Sequence, residues 1–293
     1  MKNYSIIIPH KNCWELLCRC LSSIPAREDI EVLVIDDNST SFVADELYAL
    51  YPSHNMKVFC LSESKFAGGA RNVGLANASG KWLVFADSDD FFTQDAFGIM
   101  DRYLNSDSDI VFFAHSSAFS DTLEPTERLG QRTKYLVEFI DYKTKKSEDY
   151  LRYFNHSPTS KMVKRSLVKQ FNIMFDEVPA ANDAMFSVVT GYYARTIMAV
   201  RDVVYCATIR RGSITQTRNK TNDLSRYKVD LALYVFFREK GLEHMYPFLT
   251  MRCINALRYF GVKECVHYLT LAQECNANIF LGITRRFNKK YLY

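Results

Sequence analysis

Hydrophobic and polar positions alternate in a regular way over the first part of the chain. Short β-branched runs at Tyr4–Ile8, Glu31–Ile35, Lys57–Leu61, Trp82–Ala86 and Ile110–Phe113 predict strands. Between them Trp14–Leu21, Phe42–Leu50, Ala70–Ala78 and Ala96–Leu104 carry apolar residues at helical spacing. Strands apolar on both faces, separated by helices, predict a wound, mostly parallel sheet covered on both sides. In such sheets ligands lie beyond the carboxyl ends of the strands, so the polar residues after each strand are the candidate chemistry.

The segment Asp121–Asp149 is rich in Lys, Glu, Thr and Asp with few apolar anchors and reads as a surface loop or lid. From about Ser225 helical spacing takes over, as at Leu231, Leu233, Val235 and Phe236, and again at Met251, Ile254, Leu257 and Phe260. The expected division is a wound domain over 1–224 and a helical C-terminal subdomain over 225–293. No apolar stretch reaches the roughly 20 residues needed to span a bilayer. Met1–Tyr4 runs straight into the first strand without an export signal, so the expected location is the cytoplasm.

Composition adds limits. A net charge of +4, from 37 basic and 33 acidic residues, gives no ground for nucleic-acid binding. The eight cysteines sit mostly in apolar or helical stretches of a chain long enough to build a core, which favours reduced thiols. No paired Cys-x-x-Cys spacing supports a structural zinc.

Three strands end in polar groups suited to one ligand. Pro9-His10-Lys11-Asn12 follows the first, Asp36-Asp37-Asn38-Ser39-Thr40 the second, and Asp87-Ser88-Asp89-Asp90 the fourth. The Asp36-Asp37 pair alone is equally explained as a turn or helix start. Three carboxylates within four residues repel one another, and a divalent cation with oxygen ligands relieves the repulsion and can bridge phosphates. Gly68-Gly69-Ala70-Arg71 lacks the spacing of the dinucleotide and phosphate-loop motifs. Its glycines permit close backbone approach, and Arg71 can offer a planar fork to phosphate oxygens or simply lie on a solvated helix face.

Taken together, Ile6-Ile7-Ile8-Pro9, Val34-Ile35-Asp36-Asp37-Asn38-Ser39-Thr40, Gly69-Ala70-Arg71-Asn72-Val73-Gly74 and Phe85-Ala86-Asp87-Ser88-Asp89-Asp90 resemble a family 2 glycosyltransferase of the GT-A fold. The likeness extends with less force to about residue 218. It implies an inverting, metal-dependent transfer from a nucleotide-diphosphate sugar, usually a UDP-sugar, to a hydroxyl of a saccharide or lipid-linked acceptor in bacterial surface polysaccharide synthesis. Pro9, Asp36, Asp37, Arg71 and Asp87 would contact the nucleotide. Asp87 and Asp89 would correspond to the DxD carboxylates that serve the ribose and a Mn²⁺ or Mg²⁺ ion, and the cation would neutralise the diphosphate so that it can leave.

Two later segments match as well. Phe175-Asp176-Glu177-Val178-Pro179-Ala180-Ala181-Asn182-Asp183 resembles the stretch where the family has Glu-Asp, which makes Asp183 the general base and puts Asn182 in place of the Glu. Arg210-Arg211-Gly212-Ser213 resembles a loop near the donor phosphates, with Arg211 and Ser213 as contacts; a plain basic turn explains it equally. The rivals are a nucleotide-sugar-forming nucleotidyltransferase, which needs a glycine-rich basic loop where Pro9-His10-Lys11-Asn12 stands, and a non-catalytic sugar-binding relative. At the C-terminus Ile279, Phe280, Leu281, Ile283, Arg285, Arg286, Lys289, Lys290 and Tyr291 mix apolar, aromatic and basic groups. A peripheral membrane contact and an ordinary packed helix with a solvated tail both fit.

Overall fold

The computed structural model describes residues 2–127, 130–209 and 219–280. The chain divides into two compact units, one of Met1–Val178 with Asn182–Ser213 and one of Pro179–Ala181 with Ile214–Tyr293.

The first unit is a wound α/β sheet. Its strands are β1 (Tyr4–His10), β2 (Ile30–Asp36), β3 (Met56–Cys60), β4 (Trp82–Phe85), β5 (Phe91–Phe92), β6 (Ile110–Phe119), β7 (Lys161–Lys164) and β8 (Ile197–Ile209). They lie in the order β3-β2-β1-β4-β7-β6-β8-β5. β1, β2, β3, β4, β6 and β8 run one way, while β7 is antiparallel to both its neighbours and β5 is antiparallel to β8. The helices of this unit are α1 (Trp14–Ser22), α2 (Ala44–Leu50), α3 (Phe66–Asn77), α4 (Ala96–Asp101), α5 (Gly130–Tyr142), α6 (Lys145–Phe154), α7 (Arg165–Gln170) and α8 (Ala184–Tyr193).

The continuous apolar runs have a direct cause, because alternate residues of each strand enter two separate cores. Ile6, Ile8, Val32, Val34 and Val84 pack with Leu17 and Leu21 of α1, Leu47 of α2 and Phe97 of α4. Ile7, Leu33, Ile35, Leu83 and Phe85 face the other way, with Leu75 of α3, Leu136 of α5, Leu151 of α6 and Phe186 of α8. At about 25 cal/mol per Å² of apolar surface, burial on both faces is what holds these strands at the centre of the molecule.

The segment read as a loop over Asp121–Asp149 is corrected by the structure, for it holds α5 and the first turn of α6. Lys134 pairs with Glu138 on the helix surface, while Leu136 is buried and Val137, Phe139 and Ile140 pack against the second core. A charged outer face hid an ordinary amphipathic stripe. Thr144 and Ser147 then start α6 with a capping box.

The second unit is helical, with α9 (Lys220–Glu239), a 3₁₀ turn at Glu243–Met245, α10 (Leu249–Phe260) and α11 (Val262–Glu274). Asn219 caps α9 by accepting from the Asn222 backbone N–H at 2.7 Å. Tyr227 of α9 stacks on Tyr268 of α11 with centroids 4.3 Å apart and donates to its carbonyl at 2.9 Å. Among the described residues no helix is long and apolar enough to cross a membrane.

Candidate active site

The parallel register brings the predicted motifs to one edge. His10 pairs with Asp36 across β1 and β2, and Ile7 pairs with Phe85, so Asp87 comes level with Pro9. Pro9 is buried within β1 opposite Ile35.

Asp36 and Asp37 are each only 3 % exposed. Asp36 accepts from the backbone N–H of Ser39 at 2.9 Å and from the Ser39 hydroxyl. Asp37 accepts from the Ser64 hydroxyl at 2.6 Å, the Lys65 backbone N–H at 2.6 Å and Lys11 Nζ at 3.3 Å. Their carboxylates are thus spent on the chain itself, holding the loops after β2 and β3. His10 lies 3.8 Å from Asp36, and burial pushes its imidazole pKa down against that carboxylate's pull.

Arg71, on α3, is buried rather than on a solvated face. Its two terminal nitrogens donate to Asp87 at 2.6 Å and to Asn182 Oδ1 at 2.9 Å, and its guanidinium lies 5.3 Å from the Phe175 ring centre. The side chain of Asp87 is 41 % exposed against 5 % for Arg71, so this pair opens to solvent on the carboxylate side only. Asn72 beside it clamps the Phe175 backbone, donating to its carbonyl at 2.9 Å and accepting from its N–H at 2.8 Å. The glycines have a structural use here that spacing did not reveal. A Cβ on Gly68 would stand 1.9 Å from the Asp176 carbonyl oxygen, and one on Gly69 would stand 2.4 Å from Lys65 Cβ. The close approach at Gly68 is by the chain's own backbone.

The acidic cluster splits into unlike members. Asp90 is buried, accepting from the Thr208 backbone N–H at 2.6 Å and the Tyr205 hydroxyl at 3.0 Å, and that same hydroxyl accepts from the Asp87 N–H at 2.8 Å. Burial first, then Asp87 and Asp89, push the Asp90 carboxyl well above the usual carboxylate range. The carbonyl of Asp89 is held by Thr208 at 2.7 Å and by Arg19. Asp87 and Asp89 remain partly exposed on the same short turn. Among the described residues no three His, Cys, Asp or Glu side chains form a closed metal cage. Two hard oxygen donors on an open edge nevertheless fit a Mg²⁺- or Mn²⁺-type ion that takes its remaining ligands from phosphates and water.

Asp183 stands at the N-cap position of α8, makes no side-chain capping bond, and is partly exposed. Its neighbour Asn182 is the group that Arg71 holds. Asp176, by contrast, has its carboxyl pushed up by burial. The sequence pattern does not single out Lys161 or His115. Lys161 begins β7, whose reversed direction carries it to the strand-end edge, in register with Phe112. His115 follows a β-bulge in β6, and both its ring nitrogens are buried without a hydrogen-bond partner among the described residues. Neither lies in a motif. Arg211 and Ser213 lie outside the described residues.

A family model described as Glycosyl transferase family 2 matches residues 5–171. The putative glycosyltransferase EpsH of Bacillus subtilis is 23 % identical over 240 residues, covering 78 % of this chain and 66 % of its own length. The poly(ribitol-phosphate) beta-N-acetylglucosaminyltransferase TarS of Staphylococcus aureus is 27 % identical over 72 % of this chain and 36 % of its own length. The present chain therefore spans under two thirds of either relative. The crystal structure of S. aureus TarS 1-349 with UDP-GlcNAc shares the fold, with a TM-score of 0.68 at 20 % identity over 88 % of this chain and 73 % of that one. The mannosyltransferase PcManGT from Pyrobaculum calidifontis, in complex with GDP-Man and Mn²⁺, gives a TM-score of 0.56 at 15 % identity over 99 % of this chain and 82 % of that one.

Proposed function

Because this chain belongs to glycosyl transferase family 2, we propose that it transfers a sugar from a nucleotide-diphosphate sugar, a UDP-sugar in the first instance, to a hydroxyl of a saccharide or lipid-linked acceptor. The setting is bacterial surface polysaccharide synthesis in the cytoplasm, with any membrane contact made through the segment from Ile279 to Tyr291. TarS, a poly(ribitol-phosphate) beta-N-acetylglucosaminyltransferase with a structure in complex with UDP-GlcNAc, supports a UDP-sugar donor and a polymer acceptor.

One observation carries this reading. A single buried guanidinium, Arg71, ties Asp87 of the acidic motif to Asn182, the residue before Asp183. Donor-side and acceptor-side groups separated by almost a hundred residues are thereby set in one frame, which is what in-line displacement requires of a nucleophile and a leaving group. Asp87 and Asp89 would hold the divalent cation, which when bound offsets the charge of the departing nucleoside diphosphate. Asp183 takes the proton of the acceptor hydroxyl as the new glycosidic bond forms, and its position at a helix start, with no capping bond, leaves the carboxylate available for that. Asp36, Asp37 and Pro9 shape the wall where the base is read, with Asp36 and Asp37 acting through the loops they hold. Arg211 and Ser213 stay assigned to the phosphates by resemblance.

Asp183→Asn tests this. Consumption of UDP-sugars with Mn²⁺ and acceptor is expected to fall by about a hundredfold or more while donor still raises the melting temperature. Turnover within about threefold of the parent at saturating acceptor would refute the assignment.

A further inference from the structure

Arg19 stands in the last turn of α1 and is half-buried. Its guanidinium joins two segments that lie far from it in sequence. Nη2 donates to the Asp89 carbonyl at 2.5 Å and to the Ser120 hydroxyl at 3.2 Å, while Nη1 donates to the Ser120 carbonyl at 2.8 Å. The ring of Phe91, which opens β5, lies 5.3 Å from the guanidinium carbon. Nε is buried without a partner among the described residues. Each acceptor of these bonds is a neutral oxygen, so the arrangement is made for geometry. A planar fork can grip two carbonyls at once in a fixed relation, which a single ammonium cannot do.

The gripped segments belong to the frame of the acidic turn. The Asp89 carbonyl also accepts from the Thr208 hydroxyl at 2.7 Å, and the Thr208 N–H donates to Asp90 at 2.6 Å. Ser120, just past β6, donates its N–H to the Ile209 carbonyl at 2.9 Å. The turn is thereby laced to the end of β8, and Arg19 clips both to α1. The two exposed carboxylates are treated differently. Arg71 holds Asp87 by the carboxylate itself, whereas Arg19 holds Asp89 by its main chain. Because the carbonyl oxygen lies in one plane with its own Cα, fixing the oxygen limits the direction in which the Asp89 side chain leaves the backbone.

We propose that Arg19 is a positioning residue for the divalent-cation site, a two-pronged clip on the Asp89 and Ser120 carbonyls that sets the Asp89 carboxylate for metal binding beside Asp87. This rests on the reading of Asp87 and Asp89 as the carboxylates that hold the cation. Mg²⁺ and its like tolerate little departure from their preferred ligand geometry, and with only two protein carboxylates the backbone that carries them has to be fixed in advance.

The test is the Mn²⁺ affinity of the full chain in excess UDP, read by electron paramagnetic resonance well below the melting temperature, for the parent, Arg19→Lys and Arg19→Met. Affinity is expected to fall about tenfold or more in Arg19→Met, the usual cost of losing a group that orients a metal ligand. Arg19→Lys should fall nearly as far, since it keeps the charge and loses the fork. Parent-like affinity in Arg19→Lys would assign the effect to charge and overturn the clip. A merely structural arginine would lower the melting temperature of the metal-free protein and leave the Mn²⁺ affinity of the folded molecules unchanged, which also overturns it.

Thr208→Val approaches the same carbonyl from the other side and leaves Arg19 in place, so it serves even if Arg19→Met does not fold. One neutral bond to the Asp89 carbonyl is given up, and Mn²⁺ affinity should drop about threefold or more. An unchanged affinity there means that the position of this carbonyl does not govern the cation, and the proposal fails. A parent that binds no Mn²⁺ in the presence of UDP sinks the cation reading and the clip with it; a parent that binds while all three variants match it sinks the clip alone.

Discussion

Around the ends of β1, β2 and β4 the motif carboxylates find their partners inside the chain. Ser39 satisfies Asp36, Ser64 and Lys65 satisfy Asp37, Tyr205 and Thr208 satisfy Asp90, and Arg71 holds one oxygen of Asp87. The region where β6, β7 and α8 meet differs in which groups go short, for on the first side only the Nε atoms of Arg19 and Arg71 are buried without partners among the described residues. In the second region Lys161 has a single hydrogen bond, the His115 nitrogens and Asn155 Oδ1 are buried without partners among the described residues, and Asp183 does not cap its own helix. Acidic groups predominate on the first side and basic ones on the second. The first region spends its charges on rigidity and leaves Asp87 and Asp89 partly exposed, the preorganised arrangement that the proposed diphosphate site would call for. The second keeps polar capacity in reserve, at a cost in stability that the proposed acceptor site, meeting a neutral hydroxyl and its proton, would use.

The largest effect is expected where the preorganised side meets solvent. Asp89→Ala leaves the Asp89 carbonyl to Arg19 and Thr208, so the turn should survive and the melting temperature stay close to that of the parent. Turnover should nevertheless drop about a thousandfold, since the cation would lose one of two carboxylates. Initial rates across a Mn²⁺ series check it. Near-normal rates with unchanged metal dependence would mean that Asp89 is as inward-looking as Asp90, and the contrast between the members of the cluster would collapse.

Much of the preorganised side was legible in the sequence because its signals are local. A strand that ends in Asp-Asp or Asp-Ser-Asp-Asp announces itself by hydrophobic pattern and position, and parallel pairing then brings such ends together without further information. What the pattern left open was which oxygen faces inward. Asp90 and Asp89 are neighbours of the same type, and only Tyr205 and Thr208, more than a hundred positions away, distinguish them. The other side was hardly legible. Lys161 follows a polar run that reads as loop, α5 reads as one too because its outer face is charged, and the reversal of β7 that delivers Lys161 to the edge is a property of the sheet.

Gly68 sharpens the comparison at the seam between the two regions. A methyl group there would fall 1.9 Å from the Asp176 carbonyl, well inside contact distance, with backbone rather than a flexible side chain in the way. Gly68→Ala is expected to cost about 3 kcal/mol, at the upper end for overpacking, read from urea unfolding. Turnover should fall with it, since the Asp176 segment would have to move away from the helix that carries Arg71. A loss below about 0.5 kcal/mol would mean that the stretch from Phe175 to Val178 yields easily and does not fix the frame.

His115 offers the mildest way to break the contrast, through pH. Burial, helped by Arg132 and Lys161, lowers its imidazole from 6.5 to about 4, so the native state holds it neutral where the unfolded chain begins to protonate it. The unfolded state binds the extra proton in that window, so stability supported by neutral His115 is intact above about 6.5 and is lost progressively as pH falls toward 4. The full shift would correspond to roughly 3 kcal/mol, and allowing for the ring's remaining exposure about 2 kcal/mol is expected. Many carboxylates titrate in the same range, so the measurement is a difference. Urea unfolding of the parent and of His115→Phe at pH 7 and at pH 4.5 should show the variant gaining on the parent at the lower pH, because phenylalanine has no proton to take up. Lys161 cannot mimic this. Its amine is lowered to about 7 from 10.5, so its contribution changes above neutrality, where stability rises with pH, and it is constant across the acidic window. An equal gap between parent and variant at both pH values would show that His115 is protonated in the fold without penalty, and the picture of a polar chamber kept short of partners would lose its clearest member.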